Sequence, residues 1–502
     1  MERRRFDPFA RSPAAPASHS TTLDGYHLAA IVVIGSLVAV AATIMLMRAM
    51  YPYDLYIWAE SPFLTNMLKI RAAQPFYGSI SDANSFVYPP GMEMLHTAIL
   101  APFGLALSAP ANRLLVLVYG GLTAYFLTAA LREMVQLSTL RSLIAFGVLY
   151  LTQAAGTTSD AIHPDNIHIL IHSVVFWLTL RSLQGSLRAA ACAVVLGGVA
   201  VYFKQTAALL GAGSGLCIAA LAHTDKRVRI VAPIIGIAIT ALALTTLLRN
   251  TDARDWVLSL MSSHPVTWWR LSELRIDLIG SPFGFAVVTA ALVACFRLFA
   301  TNRAAVITWL VFLGISCFGW IAYLKAMGAQ NNLTLCRMML MVGALAFVLE
   351  QKPRLAMALA TLLALAVVPV KALPTADLYR YGNEVQRAMD EAVRDGERVL
   401  LAHGTAWLIK ARALDVPLDR ANSILEVNVA RREADLGTLR RINQRYYDRI
   451  FVNSPWYGPA IEGAIQEHYE KVGEIPFGQH PHGGERGFQG LFYAVKIYVK
   501  KP

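Results

Sequence analysis

Residues 51–91 read YPYDLYIWAESPFLTNMLKIRAAQPFYGSISDANSFVYPPG, a polar, aromatic-rich stretch between two apolar runs, and its reading decides the fold. The run before it, 27–50, is long enough to span a bilayer and lacks a small-residue cleavage site, which marks a signal-anchor helix. The run after it opens behind Tyr88-Pro89-Pro90-Gly91, which stops any helix at that point. The stretch is therefore a long loop leaving a membrane, and it carries Asp54, Glu60 and Asp82.

The rest of the chain agrees with this placement. With 502 residues, 56% hydrophobic and 16% charged, it is too apolar for a soluble globule, yet its two ends are too polar for membrane throughout. The formal net charge of +12 excludes little by itself. A nucleic-acid binder gathers such charge on one soluble face, whereas here Lys and Arg stand at the ends of apolar segments, as orientation signals do. The five cysteines, at 192, 217, 295, 317 and 336, fall in or beside apolar runs without a CxxC. They read as small buried hydrophobes, with neither a disulfide framework nor a zinc site.

Apolar segments at 28–50, 91–107, 111–132, 139–155, 165–181, 189–203, 206–222, 228–248, 281–300, 305–323, 334–351 and 354–372 make a polytopic α-helical membrane protein of about twelve segments. The basic connections, Arg132 with Arg141, Arg181 with Arg188, Lys226-Arg227 with Arg229, Arg297 with Arg303, and Lys352 with Arg354, should be cytoplasmic. So should the tail 1–27, a disordered Arg, Pro, Ala and Ser-rich segment. The outer side then receives 51–90, 156–164, the 203–206 turn, 249–280, 324–333 and everything after 372. Two full crossings between 91 and 132 would break this alternation, so 91–107 is expected to re-enter or to span incompletely.

Residues 373–502 change character, and read as a small extracytoplasmic α/β domain. Its expected elements are a helix at 383–394, strands at 398–402 and 449–452, a helix at 457–471 and a final strand at 490–499. It holds no P-loop or GxGxxG, which suits a lid or an acceptor-docking platform over the membrane domain 28–372.

Glu60 precedes Ser-Pro, a helix start, and 63–73 places Phe63, Met67 and Ile70 on one face, as in an amphipathic helix lying along the outer membrane surface. An acid at that N-terminus is either a capping anion or a general base. Asp54 sits among Tyr51, Tyr53, Tyr56 and Trp58, an interfacial belt with an acid in it. Together Asp54 and Glu60 offer oxygen ligands that suit Mg²⁺ or Mn²⁺, with no third ligand evident. A second polar mouth runs TTSDAIHPDN from 157, containing Asp160, His163, Asp165 and Asn166. Ionisable groups at this depth are functional candidates, although Asp165 after Pro164 also fits a helix start. His168 and His172 have ligand spacing but no partnering acid. Lys204 interrupts an apolar stretch, and Lys325 opens another outer loop; an ammonium there suits a phosphate, whereas either alone is explained by snorkelling.

In order, these patches resemble the integral-membrane GT-C glycosyltransferases, in particular the protein-mannosyltransferase and aminoarabinose-transferase-like branch. The resemblance rests on Glu60, then Ala73-Gln74-Pro75-Phe76-Tyr77, then Tyr88-Pro89-Pro90-Gly91, then His163-Pro164-Asp165, Lys204-Gln205-Thr206 and 325–332 with Asn331 and Asn332. Ala73 departs from the family's usual glycine. The resemblance implies transfer of a sugar from a polyprenyl-phosphate donor to a lipid, glycan or protein acceptor at the outer face of a bacterial inner or plasma membrane. It makes Glu60, or Asp54 in a shifted register, the base. Lys204 and Lys325, with His163 as a further candidate, hold the phosphate, and Asp160, Asp165, Asn166, Tyr77, Tyr88, Gln205, Asn331 and Asn332 bind substrate. A transporter or flippase of an anionic or lipid-linked substrate is the rival reading, against which stand the acid-bearing first loop and the absence of an internal repeat.

Overall fold

The computed structural model describes residues 25–55, 57–81, 85–223, 225–276, 280–326, 328, 330–369, 371–401, 404–410, 418–420, 427, 429–430, 436–452, 458–476 and 494–502. Asp82, Tyr56 and the tail 1–24 lie outside the described residues, as does the start of the expected strand at 490–499.

Among the described residues seven helices are long and apolar enough to cross a membrane, and three shorter apolar helices accompany them. The chain is a polytopic membrane protein. Helix α1 (Gly25–Ala49) leads to α2 (Ile57–Arg71) and α3 (Gly91–Leu100), followed by α4 (Ala109–Met134), α5 (Thr139–Ala154), α6 (Pro164–Leu183), α7 (Leu187–Val199), α8 (Leu210–Leu221) and α9 (Lys226–Leu248). Ser108, Ser138 and Ser186 cap the starts of α4, α5 and α7 by accepting from amides in the first turn. The bundle closes with Pro282–Thr301, Arg303–Ser316, Thr334–Val348 and Pro353–Ala366.

The short basic connections meet at one end of this bundle. Arg181 pairs with Glu133 at 3.3 Å, Asn302 donates to the carbonyls of Glu133 and Met134, and Arg141 donates to that of Leu349. The opposite end carries 51–90, the 155–163 loop and the C-terminal domain. Segment 91–107 does not traverse the bundle. After α3 the chain turns at Gly104, with φ +70°, and Leu100, Ala106 and Ala111 pack together. His96 Nδ1 lies 2.7 Å from Asn112 Oδ1, so α3 and the start of α4 lie side by side at the same end. Apolar length alone therefore overcounts the crossings by this hairpin.

Helices α7, α8 and α9 approach to backbone contact through glycines. A Cβ on Gly236 would stand 2.4 Å from the carbonyl oxygen of Gly211, and one on Gly215 2.6 Å from Cα of Pro233. Small residues let helix backbones close in a medium where lipid offers no hydrophobic incentive to associate.

In the C-terminal domain, helix Ala376–Arg394 precedes a five-stranded sheet: β1 (Val399–Leu401), β2 (Leu418–Arg420), β3 (Arg449–Val452), β4 (Tyr469–Ile475) and β5 (Val495–Lys500). The order is β2-β1-β3-β5-β4, with β2, β1 and β3 parallel and β5 antiparallel to both neighbours. The helix expected over 457–471 ends at His468, where β4 begins.

Two sequence expectations are corrected here. Helix α2 does not lie along a membrane surface: Phe63, Leu64 and Met67 are buried on one side, and Ser61, Thr65 and Asn66 are equally buried on the other. The C-terminal domain covers its polar face, since the Thr65 and Thr405 hydroxyls meet at 2.8 Å. All five cysteines are free, but only Cys217 and Cys336 are buried: Cys192 is exposed and Cys295 and Cys317 are half-buried, the sulfurs of Cys317 and Cys336 lying 3.9 Å apart.

Replacing Gly236 by Ala should force α8 and α9 apart, costing about 1–3 kcal/mol as overpacking does. The measurement is the thermal midpoint of the detergent-purified protein, with Gly35→Ala, which meets no atom within 4 Å, as the unaffected control.

Candidate functional site

The loop between α5 and α6 is the point to which the first outer stretch, the bundle and the C-terminal domain all attach, through three charge clusters. The first is Glu60 with Arg113. Both carboxylate oxygens of Glu60 accept from the guanidinium at 2.7 Å, and the amide of Ile162 donates to the same carboxylate at 3.0 Å. Leu55 N also donates to it, and Arg113 reaches the carbonyls of Tyr51 and Tyr53. Both side chains are fully buried. A carboxylate engaged this way has no lone pair left to take a substrate proton, so the geometry gives Glu60 a structural part in place of the expected base.

The second cluster is Asp160 between Arg48 at the end of α1 and Lys371 after the last bundle helix, the latter at 2.7 Å. Lys371 also donates to Ser159, and Arg48 to the carbonyl of Ala372. Burial opposes the charge on Asp160, but the two cations hold its carboxyl well below the usual carboxylate range. Asp160 thus ties the bundle to the C-terminal domain instead of meeting substrate.

The third cluster is Asp165, first-turn anion of α6. It receives Lys204 on one oxygen and Asn331 on the other. Lys204 also donates to Asn332 at 3.1 Å. His163 Nδ1 accepts from the Asp165 amide as the cap of α6, and the Asn166 side chain donates to the carbonyls of Thr158 and Ala161, holding the loop closed. Beside this cluster opens a cleft of ≈ 350 Å³. Lys204, Gln205, Tyr88, Lys325, Asn332 and His264 line it together with Val257, Met261, Phe318 and Ile321, and Lys325 donates to the carbonyl of Met261. Gln205 bonds the carbonyl of Val87, and Tyr77 OH that of Tyr88 at 2.7 Å, so Tyr77 shapes the wall without lining it. The rings of Phe63 on α2, Tyr88 and His163 meet beside this cleft, His163 edge-on to the other two.

Comparison with known proteins adds an outline. No family model matches the chain, and no curated protein does. Among solved structures it is similar to ArnT from Cupriavidus metallidurans, bound to undecaprenyl phosphate, at 14% identity and TM-score 0.46, over 82% of this chain and 81% of that one. It is also similar to the arabinofuranosyltransferase AftD from Mycobacteria, at 16% identity and TM-score 0.49 over 93% of this chain. The Archaeoglobus fulgidus oligosaccharyltransferase, in complex with Zn and sulfate, is similar at 13% identity and TM-score 0.41 over 71% of this chain. This chain spans 41% of the length of the arabinofuranosyltransferase and 55% of that of the oligosaccharyltransferase.

The expected site residues thus divide. Asp165, His163, Lys204, Asn331 and Asn332 converge, and Tyr88, Gln205 and Lys325 share their cleft. Glu60 and Asp160 are tied up in ion pairs. Asp54 lies elsewhere, buried under the first turn of helix Thr405–Lys410, accepting from Ser61 Oγ at 3.0 Å and from Ala406 N at 3.2 Å. Burial, and then the Glu60 charge, push its carboxyl up to about 7. Sequence reading missed Arg113, Arg48 and Lys371, the partners of these acids. The only signal was that each is a cation set at the apolar segment's outer end, opposite to the cytoplasmic rule.

Asp54 and Glu60 do not fit a divalent cation. Arg113 occupies both oxygens of Glu60 and brings a positive charge to the spot, and no group of three metal-ligating acids, histidines or cysteines exists among the described residues. His168 and His172 are not a metal pair either, His172 packing its ring on Phe312 at 5.2 Å.

Glu60→Gln leaves Arg113 buried without its counter-charge and should cost about 3–5 kcal/mol, while Glu60→Gln with Arg113→Met should cost less than Glu60→Gln alone. Unfolding midpoints of the three proteins check this. Asp54 titrates in the other direction: its folded carboxyl is raised from 3.8 to about 7, so its stabilisation is complete below about pH 4 and is lost as pH rises through about 7. Across pH 5 to 9 the wild-type midpoint should therefore fall relative to that of Asp54→Asn; parallel curves would contradict the burial of a protonated acid here.

Proposed function

We propose that the protein is a membrane glycosyltransferase that moves a sugar from a polyprenyl-phosphate donor to the hydroxyl of a lipid, glycan or protein acceptor. The single observation that carries the reading is the amphiphilic cleft, in which two lysines and two amides stand among apolar side chains. That combination suits a ligand with an anionic head and a long hydrocarbon tail, and suits a freely soluble substrate poorly. The resemblance of the motifs in the first loop and at 163–165, 204–206 and 325–332 supports the same reading.

In this mechanism Lys204 and Lys325 hold the donor phosphate. Asp165, with Asn331 and His163 behind it, fixes where the Lys204 ammonium points. An ammonium already aimed at the phosphate needs no reorganisation when charge develops on the leaving oxygen, and that is the larger part of the catalysis. The acceptor oxygen attacks the anomeric carbon as the bond to the phosphate oxygen breaks, with inversion at that carbon. The acceptor proton passes to a carboxylate, and Asp54 is the better candidate. Its carboxyl stands near neutrality, where a general base works best, and among the described residues no cation bonds it directly. Because Asp54 is buried between α2 and helix Thr405–Lys410, it takes the proton only where the C-terminal domain parts from α2 to admit the acceptor, giving that domain its docking role. The basic end of the bundle is cytoplasmic and the domain extracytoplasmic.

The test is purified full-length protein with a panel of polyprenyl-phosphate sugars, following release of polyprenyl phosphate. A transporter would release none from any donor, and that result would remove the enzyme reading. Asp54→Asn should lower turnover by about 10²–10⁴-fold at normal protein level, and wild-type turnover should climb with pH and level off above about 7. Lys325→Gln should raise the donor KM by about tenfold through loss of a charge-assisted contact.

A further inference from the structure

A second cleft opens on the bundle at the same end, and it shares no lining residue with the first. Its volume is ≈ 240 Å³. Phe283, Val287 and Leu340 give it an apolar wall, and Thr152 and Thr334 contribute hydroxyls. Among the described residues the one cation lining it is Arg337, less than one turn into helix Thr334–Val348. Arg337 is half-buried, and no hydrogen bond or ion pair joins its guanidinium to another described residue. Every other arginine or lysine at this depth that the ionic clusters use, namely Arg48, Arg113, Lys204 and Lys371, has a carboxylate against it.

A charge at membrane depth without a partner is costly and is retained where it has a ligand to meet. A guanidinium presents a planar fork of donors that matches two phosphate oxygens at once, better than an ammonium does. The apolar wall runs from that fork along helices Pro282–Thr301 and Thr334–Val348. We infer that this cleft binds a second amphiphile, a lipid with a phosphate-bearing head held by Arg337 and its tail along the Phe283 wall. The site is separate from the cleft proposed for the donor, and the inference stands whether or not that proposal does.

The probe is dioleoyl phosphatidylglycerol added to delipidated full-length protein in detergent, read by native mass spectrometry and by the shift in thermal midpoint. Dioleoyl phosphatidylcholine and inorganic phosphate form the comparison arms. Arg337→Met should weaken phosphatidylglycerol binding by about tenfold or more, the loss of a bidentate charge-assisted contact, and Arg337→Lys should recover part of it. Without lipid, Arg337→Met should melt at or above the wild-type midpoint, because an unpaired charge has been removed; a purely structural arginine would give the reverse. Unchanged lipid affinity in Arg337→Met, or a lipid-free midpoint well below wild type, overturns the assignment. Inorganic phosphate stabilising as strongly as phosphatidylglycerol overturns the tail's part in it. Lys325→Met should leave this binding intact, and if it abolishes binding while Arg337→Met does not, the second site falls and the donor cleft stands.

Discussion

The fully buried pair of Glu60 and Arg113 is the contact on which the arrangement at this end of the bundle depends. Its bonds reach four places distant in sequence: the exit of α1 at Tyr51 to Leu55, helix α2, the start of α4 and the loop at Ile162. An ion pair in a low-dielectric interior is stable only when all its oxygens and N–H groups find partners. Satisfying them fixes these four segments relative to one another. Asp160 on the same loop and Asp165 in the first turn of α6 repeat the device, one toward the C-terminal domain and one toward the cleft. The loop between α5 and α6 therefore cannot shift without exposing several unpaired charges to an apolar surrounding. Rigidity of this kind is what a phosphate site needs, since Lys204 acts through a fixed position.

Large parts of the architecture were legible from sequence because they follow from apolar length and charge placement. The basic connections at 132–141, 181–188, 226–229, 297–303 and 352–354 marked one end, and alternation then exposed 91–107 as a segment that fails to cross. The strands at 449–452 and near 399 followed from period and β-branching. The cleft was legible in part, because Lys204 and Lys325 are cations that disturb apolar runs. The role of Glu60 was not. Its environment depends on Arg113, 53 residues on in a different helix, and no local pattern reports that approach. The same holds for α2: its helical wheel shows a polar face, but only the tertiary fold shows that Thr405 covers that face, its hydroxyl meeting Thr65 and its amide donating to Ser61, in place of water.

The contact between helix Ala376–Arg394 and the first outer stretch has a consequence for how this architecture can be recombined. Gly382 lies so close to Tyr53 that a Cβ there would stand 2.5 Å from Cδ2 of the ring, and Tyr53 OH donates to Asn383 at 2.8 Å. The backbone behind that ring belongs to the Arg113 ion pair. The soluble sheet is thus not an interchangeable cassette hung on a generic bundle. A chimera that exchanges it at residue 373 would inherit a socket cut for another plug, and only a graft that carries the tyrosine-bearing stretch along with the domain keeps both halves of the joint.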